Sequence, residues 1–389
     1  MRVLIIPSWY PYAAMPYAGS FFLEQAKALA KQPELEVSIL NWGQNEFQIQ
    51  FRRPLESIKR MFSYTQAYNK SQLIEPKLHE ITIPHLSWSS RIAKGNIDAL
   101  VNKINFQTLP DIIHAHVSFP AGYIAMQLSR RYGIPYIITE HSGPFPFPEF
   151  MKHGRISSLI SEPIANAAEV IAVSSSLAAS IEEHTHVQAK IIPNLVDTDF
   201  FVPGLGSKSK EILRLFCMSQ MTIAKGAWEL LNALQKLKAE GLDYCMYWAG
   251  EGNQKPKLLA KALEYGLAKH VIFTGHLSRS QALYQYQQCD CLVMPSHIES
   301  FSIVLIEAMA CGKPVIATDC GGPKDIVNDS NGILVPKRDA SALAKAIMDM
   351  NNELNYYNAD KIREYCVSNY SPNVVCRSIE NTYNSILNA

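Results

Sequence analysis

The chain is expected to be an α/β protein built from two doubly wound domains, and three observations lead there. Its 389 residues exceed what one ordinary core holds and suit two domains. Short apolar runs alternate with amphipathic stretches from end to end, the pattern of parallel sheets covered on both faces. The alternation breaks once, at Phe201-Val202-Pro203-Gly204-Leu205-Gly206-Ser207-Lys208-Ser209-Lys210, where proline, glycine, serine and lysine cluster as they do in linkers. The expected division is therefore 1–202, 203–371, and a closing helix over 372–389 that can pack back on the first domain.

The expected strands of the first half are Val3–Ile6, Val37–Leu40, Ile81–Ile83, Ile112–His116, Tyr136–Thr139, Val170–Val173 and Lys190–Ile192. Those of the second are Leu213–Met218, Cys245–Ala249, Val271–Thr274, Cys291–Met294, Pro314–Ala317 and Gly332–Val335. Between them, Phe21–Ala30, Ala121–Arg131, Trp228–Lys238, Lys255–Tyr265 and Ile303–Ala310 carry helical periodicity. In such folds a ligand sits at the carboxyl ends of the strands, here expected in a crevice between the two domains.

Hydrophobic residues make up 48% of the chain and charged residues 18%, which excludes a disordered protein. A formal net charge of +1 provides no global attraction to nucleic acid or anionic membrane. No apolar run approaches the ~20 residues needed to span a bilayer. The opening run Val3-Leu4-Ile5-Ile6 stops at Pro7 and reads as a buried strand rather than a signal peptide, so the expected location is the cytoplasm. All eight cysteines lie from Cys217 onward with no C-x-x-C pair, as expected of small buried hydrophobes in a reducing compartment.

The strongest chemical signal is Glu299-Ser300-Phe301-Ser302-Ile303-Val304-Leu305-Ile306-Glu307, followed by Ala308-Met309-Ala310-Cys311-Gly312-Lys313-Pro314-Val315-Ile316. A strand ends at Met294-Pro295-Ser296 and a helix begins near Ser300 to Ser302. Helix starts expose backbone N–H groups and a positive dipole end, which suits a diphosphate. Glu299 precedes the helix and Glu307 lies about two turns in, so both can face a ligand. An ordinary capped helix with a solvent-facing glutamate is the plain alternative.

The Glu-x7-Glu spacing with Glu-Ala-Met-Ala-x-Gly-x-Pro-Val-Ile resembles the signature of the retaining glycosyltransferases of family 4, which have the GT-B fold of two Rossmann-like domains facing each other across a cleft. Other segments follow in that family's order: Gly19-Ser20-Phe21-Phe22, Asp111-Ile112-Ile113-His114-Ala115-His116, Thr139-Glu140-His141, Ile192-Pro193-Asn194-Leu195-Val196-Asp197, Lys225-Gly226, Gly250-Glu251-Gly252 and Gly321-Gly322. The resemblance covers nearly the whole chain, and its specificity comes from the ordered set.

The resemblance implies a nucleotide diphosphate sugar as donor, with no other cofactor and no metal, and a saccharide or lipid-linked acceptor in cell-surface polysaccharide or glycolipid synthesis. It assigns chemistry to His116, Lys225 and Glu299, with His116 orienting the transferred sugar. Donor contacts fall on Gly19, Gln220, Lys225, Gly250, Glu251, Ser300, Phe301, Ser302 and Glu307. Acceptor contacts are expected at His141, Phe145 and Phe147, the last two in the proline-rich Pro144-Phe145-Pro146-Phe147-Pro148. Lys225 can neutralise charge on a leaving diphosphate, or be a solvated surface lysine. His114, deeper in its strand, is expected to be a hydrogen-bonded core residue, and His141 can be structural or functional.

The family's usual arginine, five residues before the lysine, is Gln220 here, and its usual glycine after the first glutamate is Ser300. An amide hydrogen-bonds but cannot balance charge. Two metal-like patterns are expected to carry no metal: Asp197-Thr198-Asp199, which follows Ile192-Pro193-Asn194, and His184 with His186, expected on a loop and lacking further ligands. The cations and aromatics of Arg52, Arg53, Lys59, Arg60 and Phe62 suit peripheral contact with the inner face of a membrane, or an ordinary solvated segment. The rival functions are a nucleotide-sugar epimerase of similar architecture and a non-catalytic nucleotide-sugar-binding subunit. A dinucleotide-dependent oxidoreductase is disfavoured, since Pro7-Ser8-Trp9-Tyr10-Pro11 stands where Gly-x-Gly-x-x-Gly would follow the first strand.

Overall fold

A computed structural model describes residues 1–11, 17–42, 71–83, 93–204 and 212–389. The basic and aromatic stretch from Arg52 to Phe62 lies outside them. The chain divides into two compact units, one of Met1–Val173, Leu177–Asn194 and Val375–Ala389, the other of Ser174–Ser176 and Leu195–Val374.

The first unit contains, in chain order, β1 (Arg2–Pro7), α1 (Ser20–Ala30), β2 (Glu36–Asn41), β3 (Ser71–Glu75), β4 (Leu78–Thr82), α2 (Ala93–Lys103), β5 (Ile112–His116), α3 (Tyr123–Tyr132), β6 (Tyr136–Glu140), β7 (Met151–Lys152), β8 (Arg155–Ile156), α4 (Ser158–Ala165), β9 (Glu169–Ala172), α5 (Ser175–Thr185, of this unit from Leu177 onward) and β10 (Lys190–Ile191). Its main sheet has the order β10-β9-β6-β5-β1-β2-β4-β3. All of β5 and β6, and β1 beyond Arg2, are buried, which explains their uninterrupted apolar sequences. The strand order reverses between β1 and β5, where Pro7 pairs with His116, and this switch point sets the carboxyl ends of both strands side by side.

One part of the sheet departs from the parallel expectation. β3 runs antiparallel to β4, with Gln72 opposite Glu80. Its sequence, Ser-Gln-Leu-Ile-Glu, is too polar to signal a buried strand, and Leu73 is exposed at this edge. His184 also departs from expectation. It sits in the last turn of α5, its Nδ1 2.8 Å from the Ser180 carbonyl, rather than on a loop.

The second unit holds β11 (Leu213–Met218), α6 (Ala227–Ala239), β12 (Tyr244–Ala249), α7 (Lys255–Glu264), β13 (Val271–Gly275), α8 (Arg279–Gln288), β14 (Cys291–Met294), α9 (Ile303–Ala310), β15 (Val315–Asp319), β16 (Gly332–Pro336), α10 (Ala340–Glu353) and α11 (Ala359–Tyr370). Its sheet, β13-β12-β11-β14-β15-β16, is parallel throughout. Leu215, Met246, Trp248, Val293 and Ile316 share one core with Leu230 and Leu234 of α6 and Ile347 of α10. Burying an aliphatic side chain of this kind contributes about 1.5–3 kcal/mol. The switch point lies between β11 and β14, so the loops after these two strands emerge together.

The units divide at Asn194, ahead of the glycine- and serine-rich segment. Residues 197–202 pack with the second unit because Phe201 stacks edgewise on Tyr286 and Arg363 donates to the carbonyls of Thr198 and Phe201. The last helix, α12 (Pro372–Leu387), belongs from Val375 onward to the first unit. There Tyr383 is fully buried, and Lys190 donates to Thr382 at 2.9 Å.

Candidate functional site

In the second unit the side chains with chemical capacity stand in the loops after β11, β14 and β15. Lys225 precedes α6, and its Nζ donates to Glu299 Oε1 at 2.7 Å. Ser296 Oγ donates to the same oxygen at 2.7 Å. The lysine side chain is 30% exposed and the glutamate 15%, so the pair is neither solvated nor sealed. Gly226 makes this arrangement possible: with φ +66°, a Cβ there would lie 1.8 Å from the Pro295 carbonyl. The two loops are also joined by the His297 amide, which donates to the Ala224 carbonyl at 2.8 Å. Glu299 further forms a parallel bridge with Gly321, and the Gly322 amide donates to its carbonyl at 2.9 Å.

Glu307 lies on α9, half-buried, and Tyr286 Oη donates to its Oε2 at 2.7 Å. Burial pushes its carboxyl up to about 7, against the opposing pull of the Tyr286 hydrogen bond and of Arg279. Two of the other expected donor residues are turned inward. Phe301 is buried against Tyr370, with ring centroids 5.8 Å apart. Ser302 Oγ donates to Met294 Sδ at 3.2 Å and does not cap α9. Any contact of these two with a ligand in this conformation would come from the backbone. Ser300 is half-buried and Gln220 exposed. Gly250 packs on the Ser219 carbonyl, while Glu251 pairs with Lys255 at 2.6 Å. The Asp197 carboxylate is committed to its own turn, accepting from the amides of Asp199 and Phe200 and from Arg279 at 3.0 Å.

The first unit collects its polar groups at the carboxyl ends of β5 and β6. His116 Nδ1 is 3.0 Å from His141 Nε2. His114 stacks on His116 with centroids 4.4 Å apart, and its two nitrogens meet Tyr383 Oη at 2.6 Å and Thr139 Oγ1 at 2.7 Å. All three rings are buried. Burial pushes His114 and His141 down to about 3, and burial together with the two neighbouring imidazoles holds His116 well below its ordinary value. They are therefore neutral at physiological pH.

His116 does not face open solvent, contrary to the expectation of a strand-end side chain projecting into a crevice. It is fully buried, with the Phe22 ring 4.8 Å away. Its Nε2 has no hydrogen-bond partner among the described residues. Gly19, at φ +66°, makes its close approach to the protein's own backbone, since a Cβ there would lie 2.5 Å from the Trp9 carbonyl. Phe145 is buried with its ring against His184, and Phe147 is half-buried.

Motif reasoning passed over several residues of these two sites. Glu140 accepts from the amides of Ser118 (2.9 Å), His141 and Ser142 (both 2.8 Å), and from the Ser118 hydroxyl, and so ties the loops after β5 and β6 together. Tyr286 and Tyr383 reach the site by hydrogen bonds across long sequence separations, whereas Ser296 meets Glu299 only three residues on. Glu140 had a local signal as a carboxylate at the end of an apolar strand, and Ser296 as a hydroxyl three residues before Glu299.

The chain matches the description "Glycosyl transferases group 1" over residues 198–365 and "Glycosyltransferase Family 4" over residues 60–200. It is similar to an uncharacterised glycosyltransferase of Methanocaldococcus jannaschii, 29% identical over 361 residues that cover 91% of this chain and 89% of the relative. It is also similar to a putative teichuronic acid biosynthesis glycosyltransferase of Bacillus subtilis, 26% identical over 91% of this chain and 90% of the relative. The crystal structure of Anabaena HepE in complex with UDP superposes with a TM-score of 0.72 at 17% identity, covering 99% of this chain and all of that one.

Proposed function

Because this chain belongs to the family 4, group 1 glycosyltransferases of GT-B fold, we propose that it transfers a sugar from a nucleotide diphosphate to a saccharide or lipid-linked acceptor with retention of configuration and without a metal ion. The observation that carries this reading is the Lys225–Glu299 pair, at 2.7 Å, in the loops where β11 and β14 end. A cation held half-open beside a helix start is the element an enzyme needs when a diphosphate departs.

In this reading the bond between the anomeric carbon and the β-phosphate oxygen breaks first, and its electron pair stays on the phosphate. Lys225 and the backbone amides near Ser302 stabilise that charge. The acceptor hydroxyl then attacks the oxocarbenium-like carbon from the face the phosphate leaves, giving its proton to the departing phosphate oxygen. Glu299, tied to Lys225, contacts the sugar, while Glu307 accepts from the ribose hydroxyls. His116 Nε2 is the atom available to a sugar hydroxyl, and reaching it requires the Phe22 cover to move. His141 and Phe147 belong to the acceptor side. The similarity to the teichuronic acid protein supports a role in cell-surface polysaccharide synthesis. Among the described residues no helix is long and apolar enough to cross a membrane.

The test is turnover with UDP-, GDP- and ADP-sugars in a chelating buffer, with the anomeric configuration of the product assigned by NMR. Retained configuration with activity in chelator is expected. An inverted product would remove the mechanism, and activity that returns only with a divalent cation would remove its metal-free form.

A further inference from the structure

The two carboxylates of the second unit are held by different means. Glu299 has a cation and a hydroxyl on one oxygen, whereas Glu307 has a single phenol. That phenol is immobilised. The Tyr286 ring is fully buried, edge-on to Phe216 (5.1 Å, 82°) and to Phe201 (5.8 Å, 78°). A hydroxyl on a ring so enclosed cannot follow a rotating carboxylate, so the ring dictates the carboxylate's orientation. Tyr286 Oη takes Oε2, and among the described residues Oε1 has no partner.

We infer that Tyr286 is a positioning residue for the donor: its hydroxyl fixes Glu307 Oε2 and keeps Oε1 turned out as the acceptor for the ribose diol of the nucleotide. This rests on the reading that Glu307 meets the ribose.

The burial of this carboxylate makes donor binding sensitive to pH, and the Tyr286 contact tempers that sensitivity. Tyr286 and Arg279 of α8 act on Glu307, and Cys311, just after α9, lies near both the carboxyl and the phenol; beyond them Cys289, just after α8, faces Tyr286, while Lys313 and Arg363 of α11, whose guanidinium is bound to the Ala310 carbonyl, face Cys311. Burial raises the Glu307 carboxyl to about 7, while the Tyr286 hydrogen bond and Arg279 restrain the rise. A ribose hydroxyl donates best to the ionised form, so donor affinity increases as pH rises through neutrality. Removing the hydroxyl removes a restraint, and the midpoint moves to higher pH.

The experiment is calorimetric titration of the full-length protein with UDP-glucose, GDP-mannose and ADP-glucose from about pH 6 to about pH 9. Tyr286→Phe should weaken the tightest of the three about three- to tenfold at neutral pH, with its midpoint shifted upward and part of the loss recovered in alkali. Glu307→Gln should give a flat profile, and a 2′,3′-dideoxyribose analogue, which lacks both hydroxyls, should bind wild type and Tyr286→Phe alike. A Tyr286→Phe profile that overlays wild type, while Glu307→Ala weakens binding, overturns the positioning role alone. An equal loss at every pH and with the dideoxy analogue also overturns it, leaving Tyr286 a packing residue. If Glu307→Ala binds as wild type, the ribose contact itself is wrong and both readings end.

Discussion

At the carboxyl ends of β5 and β6 the first unit keeps His114, His116, His141 and Glu140 inside the protein, with Phe22 covering His116. At the carboxyl ends of β11 and β14 the second unit keeps Lys225 and Glu299 partly open to solvent. The folds are alike, yet the electrostatics differ. Desolvation holds the histidines uncharged, so the imidazoles of the first unit are neutral hydrogen-bonding groups. The second retains formal charges where water still reaches them, which is how a site meets a polyanion without the full cost of burying an ion. A doubly wound scaffold thus fixes where polar groups gather, and burial decides what they can do there.

The largest break in this contrast should come from the charged side. Lys225→Ala is expected to lower kcat about 10²- to 10³-fold, as loss of one group stabilising a leaving anion does, read in steady-state transfer assays. A loss confined to KM would instead make Lys225 a ground-state binder.

The neutral side is sharpened by acid. An unfolded histidine titrates near 6.5, whereas burial holds His114 and His141 near 3. Between these values the unfolded chain binds the extra protons, so stability is intact above about pH 6.5 and is lost as pH falls toward 3. By about pH 5 the loss should reach about 2 kcal/mol per histidine, measurable as a falling urea midpoint that is shallower in His141→Gln. A flat midpoint over that range would mean the imidazoles are solvated.

A smaller effect is expected from Tyr383→Phe, which leaves a buried nitrogen of His114 unsatisfied and should cost about 1–2 kcal/mol in chemical denaturation. Smallest of all, Gln220→Arg should restore a second cation at an exposed position and tighten donor binding a few-fold, less so at high salt. Unchanged affinity would show that Lys225 and the backbone amides already suffice.

Alternation of apolar runs with helical periodicity located the main strands of both sheets but not β3, because a buried parallel strand must be apolar along its length while a polar edge strand need not be, and their order within each sheet came only from the tertiary structure. The Glu-x7-Glu stretch located Glu299 and Glu307 for a similar reason: spacing along one loop and helix is local information. At Phe301 and Ser302 the spacing did not show that the side chains turn into the core against Tyr370 and Met294, which leaves the backbone for the expected ligand contact. Helical periodicity also missed His184, in the last turn of α5.

What the amino-acid order determined alone was the alternation of elements, the starts of α6 and α9 and the types of residue that precede them, since these depend on neighbours a few residues apart. Which of those residues are charged, paired or enclosed was decided by contacts between distant segments: Lys225 with Glu299, Tyr286 with Glu307, and His114 with Tyr383 from the far end of the chain. The reason is solvation. A side chain's charge and reach depend on how much water the surrounding fold removes, and only packing sets that amount.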